Sequence, residues 1–596
     1  MKARLFALLI LPSLLLPSCS GLFGPKTNEQ EVIVYDLDRI KQDSHHRMKN
    51  GYLTTLKTRF VDGQPYVPYL SLRQYASLYE SHYAEGFVNR ITNTPFATTW
   101  GIYNGDDPYF ICAFDYINKE ISVAGSINAA FSEDDETRDL KALNYGLNST
   151  YETIQVSSKN YATYSYGDYG FTSFKSGNDH YFPLGLYDIT FSDNSGIYFT
   201  YNYKYICSTR SVDTYSSFSY PDEDGVSYTF DTQMLSKKQS NVIPSYLKKY
   251  NASLFLYLMD NFYGLKDNKG IKSAESYYKD KGFYDDLFAD DPETRTWAYS
   301  DALSVLDDNH TALVSVNNTW GYDKYNSSKT KRRYGNGCYI RSSLNAELQE
   351  ERGAAYTSMR DITFNDVVMS SDQKTALFSF DSFTFGTSEQ VFDSDGNVRG
   401  RAIDYDTYFK MIKVLQYIKA NGNVKNVILD VSLNGGGTVG VMMKLLALIS
   451  KDNSGYVALY DDASGQAVIY NSQVDINGDG VYDTEDCFGD DFNFYIITSD
   501  CSFSCGNAFP CVAQAKGYAK IIGQKSGGGE CAVGIHYLPN SEYVYHSGNL
   551  HLGLFDKDTN KFTGFENGAT PDIEFRLDHL SYMIENLNSV ISNAQN

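Results

Sequence analysis

The strongest constraint on how this chain can fold is an alternation of short apolar runs and amphipathic stretches between residues 375 and 523. Thr375-Ala-Leu-Phe-Ser-Phe380, Asn426-Val-Ile-Leu-Asp-Val431, Phe492–Thr498 and Ala519–Gly523 read as strands. Tyr408–Ala420, Val439–Ser450 and Gly506–Gly517, which stand between them, carry apolar residues at helical spacing. Strands and helices that alternate at this length need crossover connections, so the pattern predicts a layered α/β core. Two helical stretches precede it, Ser245–Gly264 and Ile271–Leu306, the second with a helix start at Asp291-Pro-Glu-Thr294.

The texture differs before residue 245. Short β-like pieces such as Tyr109–Phe114 and Ile197–Ile206 are separated by the turn signals Asn104–Pro108 and Ser192–Gly196. The 51 tyrosines are denser here than after residue 245, and Tyr suits half-buried strand faces. The expected organisation is a β-rich N-terminal region over residues 31–245, with room for two small domains, and an α/β domain over 246–596. The formal charge of −22 argues against nucleic acid as a partner, because phosphate binding needs a basic face.

Residues 1–19 read as a leader. Lys2 and Arg4 precede an apolar run, Leu5 to Leu16, that is too short to span a bilayer comfortably. Leu-Pro-Ser-Cys at 16–19 resembles the bacterial lipoprotein cleavage box, which implies lipidation of Cys19 and a membrane-anchored, extracytoplasmic protein of a bacterial cell envelope. Residues 20–30 are expected to be a tether. The remaining cysteines lack paired CxxC spacing, which argues against a zinc knuckle. His45, His46, His82, His180, His536, His546, His551 and His579 show no metal-ligand spacing along the sequence.

Three separated pieces carry chemistry. Leu306-Asp-Asp-Asn-His-Thr-Ala-Leu313 puts His310 just after a helix. Ile428 to Gly437 is a buried strand running into a glycine turn, and Ile496 to Asn507 is a strand, a hydroxyl-rich turn and a helix start. A serine on a strand-to-helix turn is presented beside the N–H groups of the helix start. A glycine run exposes further N–H groups, and two such donors can hold an oxyanion. A histidine nearby can take the serine proton.

In this order the pieces resemble the C-terminal processing (tail-specific) peptidases and tricorn-type proteases. That family carries Asp-x-x-x-Asn-x-Gly-Gly, then Ser-x-x-(Glu/Asp), then Ile-Gly-x-x-(Thr/Ser)-x-Gly; Asp430–Gly437, Ser504–Asn507 and Ile522–Gly528 stand in these places. Leu306–Thr311 and Gly568–Ile573 match its flanking motifs. The resemblance implies an α/β (α+β) serine peptidase core acting on a peptide or protein substrate, with no catalytic cofactor. It further implies Ser504 as nucleophile, His310 as base and Glu566 as supporting acid, with Cys505 and Gly436 or Gly437 as oxyanion donors. Ser502 and Cys505 remain alternative nucleophiles. The lysine base of the Ser–Lys branch is missing, because Gly529 occupies its position and Lys525 comes too early; this favours the tricorn-like branch with a histidine base. Asn507 replaces the usual acid three residues after the nucleophile, which leaves a second expectation open: an inactive peptide- or glycan-binding surface lipoprotein that keeps the peptidase fold. Residues 315–375 are too short and charged for the peptide-binding insert that processing peptidases often carry there.

Asp475-Ile-Asn-Gly-Asp-Gly-Val-Tyr-Asp-Thr-Glu-Asp486 is a separate signal. Asp475, Asn477, Asp479, Val481 (through its carbonyl), Asp483 and Asp486 fall at the ligand positions of a twelve-residue calcium loop, with Gly480 at the turn. A structural Ca²⁺ in an insert at 475–486 is expected.

Overall fold

The computed structural model describes residues 25–595 apart from 43–47, 132–139, 158–159, 211–217, 222–226, 231–241, 317–336, 360–366 and 540–541. The leader and Cys19 lie outside the described residues. The expected tether at 20–30 is corrected at its end, because strand Thr27–Asp36 begins inside it. That strand pairs with Tyr52–Val61 from Thr27 opposite Val61 onward, and Arg59 reaches Glu29 at 3.2 Å. A polar sequence pairs here because its neighbour supplies the complementary charge on the exposed face.

The predicted core is present. Thr375–Ser379, Asn426–Asp430, Asn493–Thr498, Ala519–Gly523 and the short Ile573–Glu574 form a parallel series, with Val368–Met369 antiparallel at one edge. Their side chains alternate between two helix-covered faces, which is why the central positions of the three middle strands are apolar. Ala376, Phe378, Val427, Leu429, Phe494 and Ile496 face helices Thr407–Ala420, Val439–Ile449 and Cys505–Ala515. Leu377, Ile428, Tyr495 and Ile497 face helices Gly337–Ser358 and Ile584–Gln595. Helix starts follow the sequence signals: the Asp291 side chain accepts the Thr294 amide, and Asp406 accepts those of Tyr408 and Phe409.

Two expectations in the N-terminal half change. Ile197–Ile206 is not one strand but the antiparallel pair Tyr198–Tyr201 and Ile206–Thr209. The turn between them forms because Asn202 Oδ1 accepts the amides of Lys204 and Tyr205, while Tyr203 takes a positive φ of 67°. The boundary at 245/246 does not divide the core either. Val34, Trp100 and Phe191 share one buried cluster with Phe255, Tyr299 and Leu313. Strand Leu147–Gln155 crosses over to pair antiparallel with Gln466–Val474. Lys444, from helix Val439–Ile449, donates to the carbonyls of Ala142 and Tyr145 and so pins this crossing segment. Burial pulls its amine down to about 7, against the opposing pull of Asp406. No helix among the described residues is long and apolar enough to cross a membrane.

Candidate active site

Strands Asn426–Asp430 and Asn493–Thr498 are adjacent and parallel, so the loops at their carboxyl ends meet. This brings the glycine turn and the hydroxyl-rich turn together, which spacing alone does not establish. Asn434 joins them. Its Oδ1 accepts the Gly436 amide at 2.9 Å, its Nδ2 donates to the Phe380 carbonyl, and its own carbonyl accepts the Phe503 amide at 3.0 Å. Asp430, fully buried at the strand end, accepts the Ser432 amide, the Ser379 hydroxyl and Arg352 Nη1, and so fixes the base of the glycine turn.

Ser504 caps helix Cys505–Ala515 with φ 57° and ψ −126°, a conformation that L-residues avoid. Its amide donates to the Gly528 carbonyl at 2.9 Å. The hydroxyl lies over Gly436: a Cβ added there would stand 3.0 Å from Ser504 Oγ. Among the described residues Ser504 Oγ makes no hydrogen bond. Ser502 differs completely, being fully buried, with its hydroxyl donating to the Val431 carbonyl and accepting the Ser499 amide. That is the arrangement of a turn residue. The Cys505 thiol donates to the Gly437 carbonyl at 3.1 Å, and burial pushes it up to about 12, so it stays protonated near neutral pH.

The oxyanion candidates separate on their amides. The Gly436 amide is committed to Asn434, whereas those of Gly437 and Cys505 have no acceptor among the described residues. The thiol-to-carbonyl bond holds these two residues side by side.

His310 arrives on a different sheet. It precedes strand Ala312–Val316, which pairs antiparallel with the long strand Glu542–Asp556. Asp308 shapes the approach, accepting the His310 amide on Oδ1 and the Thr311 hydroxyl on Oδ2. The His310 ring packs edge-on against Phe503, with centroids 4.7 Å apart, one residue from Ser504. No hydrogen bond joins the ring to Ser504 Oγ among the described residues, and His310 Nδ1 is buried without a partner. Burial lowers the imidazole below its usual range, against opposing pulls from Asp308 and the Cys531 backbone, so the ring is neutral near pH 7. Phe503 is a site residue that sequence reasoning passed over; its place between Ser502 and Ser504 is the only signal for it.

Glu566 does not touch His310 among the described contacts. Its Oε2 accepts the amides of Gly529 and Glu530 at 3.0 and 3.2 Å. Burial raises this carboxyl and the two amide bonds act against that rise. The turn it holds carries Gly528, the residue that anchors the Ser504 amide. Asn507 takes part in the same frame, donating to the Phe565 carbonyl and accepting the Ser526 hydroxyl. Lys525 is exposed.

The calcium-type loop folds as a series of side-chain turns. Asp475 accepts the amides of Gly478 and Gly480, Asn477 that of Asp479, Asp479 that of Val481, and Asp483 that of Glu485. Asp486, fully buried, accepts the amides of Ile476 and Asp483, and Gly480 takes φ 79°.

Residues 395–575 match the family model of Peptidase family S41. No curated protein matches the chain. Among solved structures the chain is similar to a candidate peptidase from Parabacteroides merdae ATCC 43184, at 18% identity over 58% of this chain and 95% of that one, with a TM-score of 0.38. It is also similar to a lipoprotein from Streptococcus agalactiae, at 14% identity, 59% and 98% coverage and TM-score 0.34. Mature CPAF, solved in complex with lactacystin, gives 12% identity, 59% and 98% coverage and TM-score 0.35. The matched segment contains Gly436, Gly437, Ser504, Cys505 and Glu566. The match to peptidase family S41 thus lies on residues 395–575, and it marks the chain as a serine-type peptidase of mixed α/β fold.

Proposed function

We propose that this chain is an exported, lipid-anchored endopeptidase that cleaves peptide bonds through an acyl-enzyme on Ser504. The observation that carries the reading is the strained Ser504 turn: an unpaired hydroxyl beside two amides, those of Gly437 and Cys505, that lack acceptors among the described residues. Ser504 Oγ adds to the scissile carbonyl carbon while its proton passes to neutral His310. The carbonyl oxygen, now negative, takes the N–H groups of Gly437 and Cys505. Collapse breaks the C–N bond, and His310 returns the proton to the leaving amine. Water then repeats the sequence on the ester and frees Ser504. In this scheme Ser504 Oγ and the His310 ring come within hydrogen-bond reach when substrate binds, a tightening common at catalytic sites. Glu566 is a positioning residue in this scheme, acting through the Gly528–Glu530 turn on the Ser504 backbone. Anchoring through Cys19 rests on the sequence of residues 1–19.

The pH profile tests the base. His310 must be neutral to act, and its burial places its titration below the ordinary 6.5. Peptide hydrolysis measured as kcat/KM is expected to hold as pH falls through 7 and to decline only below 6.5, with that limb missing in His310→Ala. A limb centred above 7 would count against His310.

The 475–486 loop supports a structural calcium ion, held by the carboxylates of Asp475, Asp479, Asp483 and Asp486, the Asn477 amide oxygen and the Val481 carbonyl. Such an ion supplies charge to a folded loop and no step of the hydrolysis. Calcium at 100 times its Kd is expected to stabilise the chain by about 2.7 kcal/mol over the chelator-treated form, and Asp486→Ala is expected to lose the effect. An unchanged melting temperature on chelation would remove calcium from the account.

A further inference from the structure

A buried cluster lies apart from the machinery above, where helix Leu184–Ser195 meets the antiparallel strands Cys531–Tyr537 and Glu542–Asp556. His546 stands opposite Gly534 in that pairing, and His536 is two residues further along the same face. The histidines are therefore diagonal neighbours, with rings stacked 5.2 Å apart at 19°. Asp193 enters from the helix. His546 Nε2 lies 3.4 Å from its Oδ2 and His536 Nε2 lies 3.8 Å from its Oδ1. Both imidazoles are fully buried. Among the described residues His536 Nε2, His546 Nε2 and Asp193 Oδ2 have no hydrogen-bond partner at all.

The partners on the far side of each ring say what these atoms are. His536 Nδ1 faces Asp188 Oδ2 at 3.2 Å, and His546 Nδ1 faces the Ser547 carbonyl at 3.2 Å. Both are acceptors, so each Nδ1 carries the proton and each Nε2 presents a lone pair. Two lone pairs and a carboxylate thus converge; the Tyr198 hydroxyl donates to Asp193 Oδ1 at 3.4 Å, but among the described residues no donor meets Asp193 Oδ2 or either Nε2. Buried acceptors do not gather like this unless something positive sits among them. The arrangement matches metal-binding histidines, whose second nitrogen is held by a carboxylate or a backbone carbonyl. The spacing is near that of a tetrahedral ion with bonds of about 2.0–2.1 Å, whose ligand-to-ligand edges are about 3.3–3.4 Å, against 3.4 and 3.8 Å here.

The backbone leaves room for an ion. A Cβ on Gly534 would fall on His546 Nε2 and stand 2.8 Å from Asp193 Oδ1. A cavity of about 340 Å³ is lined in part by Asp193, Gly534 and Gly548. A second cluster, Glu530, Cys531 and His551, looks similar on paper but is closed by its own bonds. Both His551 nitrogens already meet carboxylates at 2.9 Å, Glu530 Oε1 and Asp462 Oδ2.

We propose that Asp193, His536 and His546 form a binding site for a divalent transition-metal ion of the zinc type, with two imidazoles, one carboxylate and a fourth position open to the cavity. The ion ties the N-terminal helix to the strand pair of the peptidase half. One of those strands, Glu542–Asp556, also pairs with Ala312–Val316 directly after His310, so the site braces the element that delivers the base.

The test uses the full chain, purified without a polyhistidine tag. Metal content is measured by mass spectrometry. The chelator-stripped chain is then titrated with Zn²⁺ against a chromophoric chelator and with Co²⁺ by visible absorption. One tightly held equivalent is expected, with the Co²⁺ bands of a low-coordinate nitrogen–oxygen site. His546→Gln and Gly534→Ala are expected to lose it, and Cys531→Ala to keep it. Gly534→Ala removes none of the ligand side chains, so its circular dichroism spectrum separates a blocked site from a misfolded chain. Absence of saturable Zn²⁺ and Co²⁺ binding by the stripped wild type would overturn the proposal in favour of an imidazolium–carboxylate pair. So would undiminished binding in both folded variants, or binding lost in Cys531→Ala alone.

Discussion

Ser504→Ala is expected to lower kcat/KM for peptide hydrolysis by about 10⁶-fold while leaving the circular dichroism spectrum unchanged. The loss follows from the attacking oxygen itself, because Ser504 Oγ is the hydroxyl that stands free over the Gly436 turn. Ser502→Ala is expected to behave otherwise. That hydroxyl supports the Val431 carbonyl and the Ser499 amide, so its removal costs about 1–3 kcal/mol of stability and leaves the chemical step in place. Ser504→Gly adds an independent check on geometry. It removes the proposed nucleophile as well, yet a residue with φ 57° and ψ −126° stores about 1–3 kcal/mol that glycine would release. The inactive glycine variant should therefore melt higher than the inactive alanine variant. Equal melting temperatures would show that the turn is not strained.

Gly436→Ala is expected to damage both fold and activity. The new Cβ would stand 2.7 Å from Ser504 Cβ and 3.0 Å from Oγ, on a backbone with φ 114° that L-residues rarely adopt. Strain and overpacking together put the loss of stability at about 2–4 kcal/mol. Relief of the clash must move either Ser504 or the neighbouring Gly437 amide. Activity should then fall by at least about 10²-fold, the scale of losing one oxyanion donor. Gly435→Ala is the control, since a Cβ there meets nothing within 4 Å. It should retain near wild-type melting and turnover. Equal harm from both substitutions would contradict the close approach of Ser504 to Gly436.

The parts of the fold that local physics determines were legible in the sequence. A doubly covered strand such as Asn426–Asp430 must be apolar at its centre, Val427 to Leu429, and a helix start such as Asp291 must supply an acceptor for orphan amides. The parts that depend on partners distant in sequence were not. Nothing in Leu147–Gln155 announces that it leaves its own half to pair with Gln466–Val474. The same applies at the site. The motifs named Ser504 and both glycines, but only the packing of Asn434 separates the committed Gly436 amide from the Gly437 amide. His536 and His546 have no ligand spacing along the chain because strand pairing, not helical repeat, brings them to Asp193.

The most direct measurement is labelling of the purified chain with a fluorophosphonate serine probe, followed by peptide mapping of the adduct. One adduct is predicted, on Ser504, lost in Ser504→Ala, strongly slowed in His310→Ala and retained in Ser502→Ala. An adduct elsewhere, or none on a folded chain, would contradict the proposed nucleophile and leave a peptide-binding protein on a peptidase fold.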